Sequence, residues 1–159
     1  MLDPKALKSN ARRLLLQYHP DRLARSTPQE RRLAEQFSAH LNRGREVLED
    51  PLLRAAHLLE LVDVEANFDN RTIRDASFLM QQMELREALE DAANTEDCKR
   101  LSVQVEEKLE ALFHSFETTD FESERLDNAN ADRLLSNLAK IHFYIKFSSD
   151  IKAALRGFS

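Results

Sequence analysis

Turn-forming residues are so scarce in this chain that most folds are closed to it. Two glycines and four prolines serve 159 residues, about 4% where roughly 12% is usual. No proline follows Pro51, and the only later glycine is Gly157. Antiparallel β-proteins need turn residues at short intervals, so a sandwich or barrel is excluded. With 32% charged and 42% hydrophobic residues and no strand-like alternation, the expected class is all-α. The length suits one domain or two small ones. No apolar run nears the roughly 18–20 residues of a membrane span, and no hydrophobic leader follows Met1, so no membrane partner is expected.

Helix signals divide the chain. A first helix is expected over residues 4–18, capped by Asp3 and started by Pro4. Leu7, Ala11, Leu14, Leu15 and Tyr18 form its apolar stripe. Lys5, Lys8, Arg12 and Arg13 lie on the opposite surface, and Pro20 stops the helix. Thr27 with Glu30 reads as a capping box, and Pro28 opens a second helix with Leu33, Phe37, Leu41, Gly44 and Leu48 on one face. Gly44 costs about 1 kcal/mol against alanine inside a helix, so close backbone packing is expected there. Asp50-Pro51 starts a connecting helix with Leu52, Leu53, Ala56, Leu59 and Leu61.

In the stretch 63–71, Asn67, Asp69 and Asn70 supply the turn chemistry that glycine usually provides. Three longer helices are then expected near 74–93, 96–117 and 122–156, making a three-helix bundle. The first has the core stripe Phe78, Leu85, Leu89 and Ala92. The second has Leu101, Val105, Leu109, Leu112 and Phe116, and the third Leu134, Leu138, Ile141 and Ile145. The domains read as 1–62, a helical hairpin with its connecting helix, and 72–159, the bundle.

Charge follows the same division. Residues 1–51 carry ten Lys/Arg against seven Asp/Glu, leaving a net −8 on the remainder of a chain whose total is −5. This suggests two halves with different partners, or simply variation among helical surfaces. Acids are interleaved with the bases, and the basic stripe is too thin for a nucleic-acid partner.

The most informative residues are His19-Pro20-Asp21, which close a basic amphipathic helix and precede a loop to an antiparallel one. A given tripeptide occurs by chance in only about 1% of chains this long. In this context it resembles the signature of J-domains, modules that stimulate ATP hydrolysis by DnaK-class heat-shock chaperones. The plainer alternative is a loop whose His and Asp satisfy local backbone groups. The likeness extends through Gln17-Tyr18-His19-Pro20-Asp21-Arg22, Asp50-Pro51-Leu52-Leu53-Arg54-Ala55, Arg74-Asp75-Ala76-Ser77-Phe78-Leu79-Met80 and Glu84-Leu85-Arg86-Glu87. Together these resemble the HscB family, J-type co-chaperones of iron–sulfur cluster assembly.

That resemblance implies an L-shaped, all-α protein with an N-terminal J-domain-like antiparallel hairpin and a C-terminal three-helix bundle. It implies a non-enzymatic role: binding the scaffold IscU, delivering it to the chaperone HscA and stimulating the ATPase of that chaperone. The chaperone-binding residues would be His19, Pro20, Asp21, Lys5, Lys8, Arg12 and Arg13. The scaffold-binding residues would be Leu79, Met80, Met83, Glu84, Glu87, Asp91 and Phe143. The setting would be bacterial cytoplasm, or the mitochondrial matrix in a eukaryote. Family members open with a further short helix before the one starting here at Pro4. The J-domain is therefore expected to be incomplete at its N-terminus, with Leu7, Leu14 and Tyr18 partly uncovered. A binding-only scaffold adaptor, with a J half that does not activate, is the alternative function.

The bundle's wheel supports a partner surface without the resemblance. With Phe78 at 0°, Met80, Met83, Glu84, Glu87 and Asp91 fall opposite the core stripe, with Leu79 at the margin. Methionine suits adaptable contacts, although packing between helices would use the same residues. Phe143 likewise falls opposite its helix's core row.

Other constellations are sparse. His40, His57, His114 and His142 form no i,i+4 pair with each other or with a cysteine, so no metal site is expected. Cys98 falls in a charged turn with nothing to activate it, which disfavours a thiol hydrolase. No glycine-rich phosphate loop is present, so no nucleotide cofactor is expected.

Overall fold

Each helix begins where a short polar side chain takes over the amides that an α-helix leaves unpaired. In the computed structural model, which describes residues 2–18, 27–66, 75–121 and 126–158, Asp3 Oδ1 accepts from the amides of Lys5 (2.8 Å) and Ala6 (3.3 Å). This starts α1, Pro4–Gln17. The Thr27–Glu30 capping box is formed in both directions, the Thr27 amide donating to Glu30 Oε2 (2.8 Å) and the Glu30 amide to Thr27 Oγ1 (3.3 Å). It opens α2, Pro28–Glu49. Asp50 ends α2 and caps α3, Pro51–Glu60, accepting from the amides of Leu52 and Leu53. Beyond α3, Asp63 takes φ +61°, a left-handed conformation that aspartate tolerates better than most residues.

Asp75, Asn94 and Asp127 cap the three later helices: α4, Ala76–Glu90; α5, Thr95–Glu117; and α6, Asn128–Gly157. Among the described residues there are six helices and no strand, as the scarcity of turn residues required. Asn67, Asp69 and Asn70 lie outside the described residues.

The chain forms two compact units, Met1–Arg54 and Ala55–Ser159, with the division inside α3. In the first, α1 and α2 form an antiparallel hairpin. Tyr18, at the end of α1, meets Phe37 edge to face at 4.5 Å between centroids, and Ser38 Oγ donates to the Tyr18 carbonyl. At the other end Leu7 and Leu48 share one groove. Only Ala11 and Ala34 are buried on these two helices; Leu7, Leu14, Leu15, Leu41 and Leu48 are half-buried.

Two expectations for α2 fail. Leu33 is 64% exposed while its neighbour Ala34 is buried, because the covered face of α2 runs through Ala34, Leu41 and Leu48 and Leu33 lies about 100° to one side of it. Gly44 has no close backbone neighbour: a Cβ there would meet nothing within 4 Å. It instead borders the apolar groove of about 400 Å³ between Ala6, Leu7, Leu14, Leu41 and Leu48.

In the second unit, α5 runs antiparallel to α6, as the 3.0 Å bond from Asn137 Nδ2 to Ser115 Oγ places the end of α5 beside the early turns of α6. Phe78, Leu101, Val105, Tyr144, Phe147 and Ile151 form a core with Cys98. Leu85, Leu89 and Ala92 pack against it, so the stripe expected of α4 faces inward. Leu134, Leu138 and Ile141 are fully buried, but Ile145 is half-buried. Its place is taken by Tyr144, Phe147 and Ile151, because the buried side of α6 rotates by roughly 100° along the helix, one residue's worth of turn. Cys98 is a further correction: it is fully buried in the first turn of α5, not set in a charged turn.

Candidate functional site

In the first unit, Lys5, Lys8, Arg12 and Arg13 are all exposed on α1. Lys5, Lys8 and Arg12 fall within about 60° of one another at 100° per residue, making one cationic strip with Arg13 at its flank. His19, Pro20 and Asp21 lie outside the described residues. The described residues on either side of them are held by specific contacts. Tyr18 is held by Phe37 and Ser38, and the Thr27–Glu30 box receives the chain on return. Both hydrogen bonds from Thr27 hold the Glu30 carboxyl below its ordinary pKa.

In the second unit, α4 turns Phe78, Leu85 and Leu89 inward and a different set outward. Leu79, Met80 and Met83 are 48%, 64% and 62% exposed, and Glu84, Glu87 and Asp91 are exposed beside them. Packing between bundle helices does not account for these residues. The strip has an apolar centre able to lose water favourably and carboxylates at its border that accept hydrogen bonds.

Phe143 stands differently from expectation. It is half-buried and packs against the core. Its ring meets Phe78 edge-on at 5.5 Å and stacks with Phe147 at 5.8 Å. The Arg86 guanidinium lies 5.9 Å from its centroid. Phe143 therefore belongs to the seam between α4 and α6, where the core meets the surface.

Polar bonds cross the same seam. Lys140 Nζ donates to Asp75 Oδ2 at 2.7 Å, and the Tyr144 hydroxyl donates to Gln81 Oε1 at 3.0 Å. Asp75 also accepts from Ser77 Oγ and from the Phe78 amide. Lys140 foremost, then these two donors, hold its carboxyl far below the usual range. Burial raises the Tyr144 phenol. The wheel missed Asp75, Gln81, Arg86 and Lys140 as parts of this surface. Asp75 and Gln81 lie 65 and 63 residues from their partners, a separation no local pattern spans.

Among the described residues, no group of three or more His, Cys, Asp or Glu is arranged to hold a metal ion. No described helix is long and apolar enough to cross a membrane.

A helical hairpin and a helical bundle whose α4 keeps an apolar, acid-bordered strip in water define an all-α protein with an uncovered apolar surface. Comparison with known proteins carries this further. Residues 74–152 match the family model described as the HSCB C-terminal oligomerisation domain. A co-chaperone protein HscB homolog from Shewanella sp. (strain MR-4) is 35% identical over 148 residues, covering 89% of this chain and 85% of that protein. The homolog from Shewanella woodyi is 32% identical over 160 residues, covering 94% and 90%. The solved structure of chaperone HscB from Vibrio cholerae is similar with a TM-score of 0.77 and 26% identity, over 100% of this chain and 92% of that one. The chain belongs to the HscB family of co-chaperones, which serves iron–sulfur cluster assembly.

Proposed function

We propose that this protein holds an IscU-type scaffold on its bundle, presents it to an HscA-type chaperone through its hairpin, and stimulates that chaperone's ATPase. The observation that carries the reading is the outer strip of α4. Three large apolar side chains stay in water there, flanked by three carboxylates and adjoining the seam that holds Phe143. Leu79, Met80, Met83 and Phe143 would supply apolar contact. Glu84, Glu87 and Asp91 would orient a partner carrying basic residues, an effect mainly on encounter and register.

The cationic strip Lys5, Lys8, Arg12 and Arg13 would steer the hairpin to an acidic chaperone surface, more weakly at high salt. Pro20 limits the entropy lost on docking, and Asp21 offers a carboxylate to a chaperone arginine. His19 would touch the partner, without proton transfer. Stimulation follows if docking favours the hydrolysis-competent chaperone, which only differential affinity can do. The protein itself performs no catalysis. Bacterial cytoplasm is the proposed setting, since the similar proteins come from Shewanella and Vibrio.

The test is steady-state ATP turnover by the chaperone with this protein, with and without scaffold, alongside calorimetric titration of the scaffold. Stimulation together with scaffold binding supports the reading; absence of scaffold binding refutes it. A second reading, a binding-only adaptor, draws on the small buried core of the hairpin and its open apolar groove. Scaffold binding without stimulation at saturation would select it.

A further inference from the structure

The partner strip is composite: Leu79, Met80 and Met83 come from α4, while Phe143 comes from α6. Apolar packing holds the two helices together but is non-directional and does not by itself set their register. Directional contacts do that, and the tightest of them lies at the beginning of α4.

Lys140 sits on α6 one turn before Phe143 and Tyr144. Its Nζ reaches Asp75 Oδ2 at 2.7 Å and lies 5.2 Å from the centre of the Phe78 ring. Its side chain is only 22% exposed, so it is packed along the seam. Asp75 is the N-cap of α4: its Oδ1 takes the Phe78 amide, and its carbonyl takes the Leu79 amide at 3.0 Å. A single carboxylate thus joins the first turn of α4 to the middle of α6. That first turn carries Phe78 inward and Leu79 outward. Helix ends are where backbone amides lack internal partners and where chains open locally. Without an anchor, Leu79 and Met80 would belong to a fraying end.

We propose that Lys140 is a positioning residue for the partner surface, clamping the Asp75 cap so that Leu79 and Met83 are held in register with Phe143. The inference rests on the scaffold-binding reading of that surface. Lys140 itself need not touch the scaffold. Its effect passes through α4, and removing it lowers affinity only as far as α4 residues contribute to binding.

The experiment measures scaffold affinity by calorimetry well below each variant's melting temperature, for Lys140→Met, Lys140→Arg, Asp75→Asn and Leu79→Ala, and for Lys140→Met combined with Leu79→Ala. Lys140→Met keeps the packed stem and removes the donor. Asp75→Asn keeps a good N-cap but loses the charge, and covers the case in which Lys140→Met folds poorly. Lys140→Met and Asp75→Asn should each weaken binding about fivefold or more, the scale of coupling within one hydrogen-bonded network. Lys140→Arg should restore most of it. Combining Lys140→Met with Leu79→Ala should weaken binding by less than the product of the two single effects. Amide exchange at Phe78 and Leu79 should quicken in Lys140→Met. Native affinity in both Lys140→Met and Asp75→Asn, or fully multiplicative effects with Leu79→Ala, would overturn the clamp and leave the scaffold reading standing. No scaffold binding by the natural chain would sink that reading and the inference together.

Discussion

The ring of Phe143 stands edge-on to that of Phe78, with 5.5 Å between centroids and 86° between planes. A buried side chain of α4 thus touches the residue of α6 that borders the exposed strip. Core packing and the proposed recognition surface meet at this contact, and mutations along the strip should separate them.

Met83 is 62% exposed, so Met83→Ala should reduce scaffold affinity while leaving the melting temperature nearly unchanged. Phe143→Ala should reduce both, because its ring packs on Phe78 and Phe147. Together the two should weaken binding by about 2–4 kcal/mol, the scale of interface hot spots. Calorimetric titration and thermal melts read the two effects separately. Intact affinity with lowered stability would assign both residues to the core alone.

Asp21→Ala should abolish stimulation of the chaperone's ATPase while helicity and scaffold binding remain as in the natural chain. Circular dichroism, calorimetry and ATP turnover check the three properties. Unchanged stimulation would remove the loop from the proposed mechanism.

Asp75 gives the bundle a predictable acid response. Its carboxyl is held well below the usual value by Lys140, Ser77 and the Phe78 amide. A depressed folded pKa means stabilisation that is complete above the unfolded value of about 3.9 and lost as pH falls below it toward the folded value. Asp75→Asn should therefore flatten the fall of melting temperature between about pH 4.5 and 2. An acid limb as steep as that of the natural chain would contradict this.

Cys98 is fully buried among Leu101, Val105 and Phe147. Aromatic disulfide reagents should label it no faster than the bundle opens, and rapidly once denaturant is added. Fast labelling of the native protein would show that the start of α5 is open.

Gly44 is the one glycine inside α2, and a Cβ there meets nothing within 4 Å. Gly44→Ala should stabilise the hairpin by about 0.5–1 kcal/mol through helix propensity alone. Denaturant unfolding checks this, with a shifted midpoint at constant slope.

Local chemistry was legible wherever the relevant contacts span three or four residues. Asp3 with Pro4, Thr27 with Glu30 and Asp50 with Pro51 marked helix starts that the structure reproduces. The outward set on α4 was equally legible, because a single helix obeys one angular rule from end to end. Ile145 and Leu33 were misplaced for a different reason. Their burial depends on which side of the helix its neighbours cover at that level, and a helical wheel contains no neighbours. Gly44 was misjudged on the same ground, since propensity records a cost and not the space beside the residue.

Scarce glycine and proline, the capping residues of α1, α2 and α3 and the 3.6-residue rhythm were enough to settle that this chain is helical, where its first three helices begin, and which residues α4 turns to water; the start of α6, expected at 122, lies at Asn128. These signals act within one turn of backbone, so primary structure holds them in full. Tertiary structure alone decided that Lys140 grips Asp75, that Phe143 leans on Phe78, and that Cys98 is sealed in the core. Those contacts depend on the register between helices, which emerges only when apolar faces from distant segments are packed together.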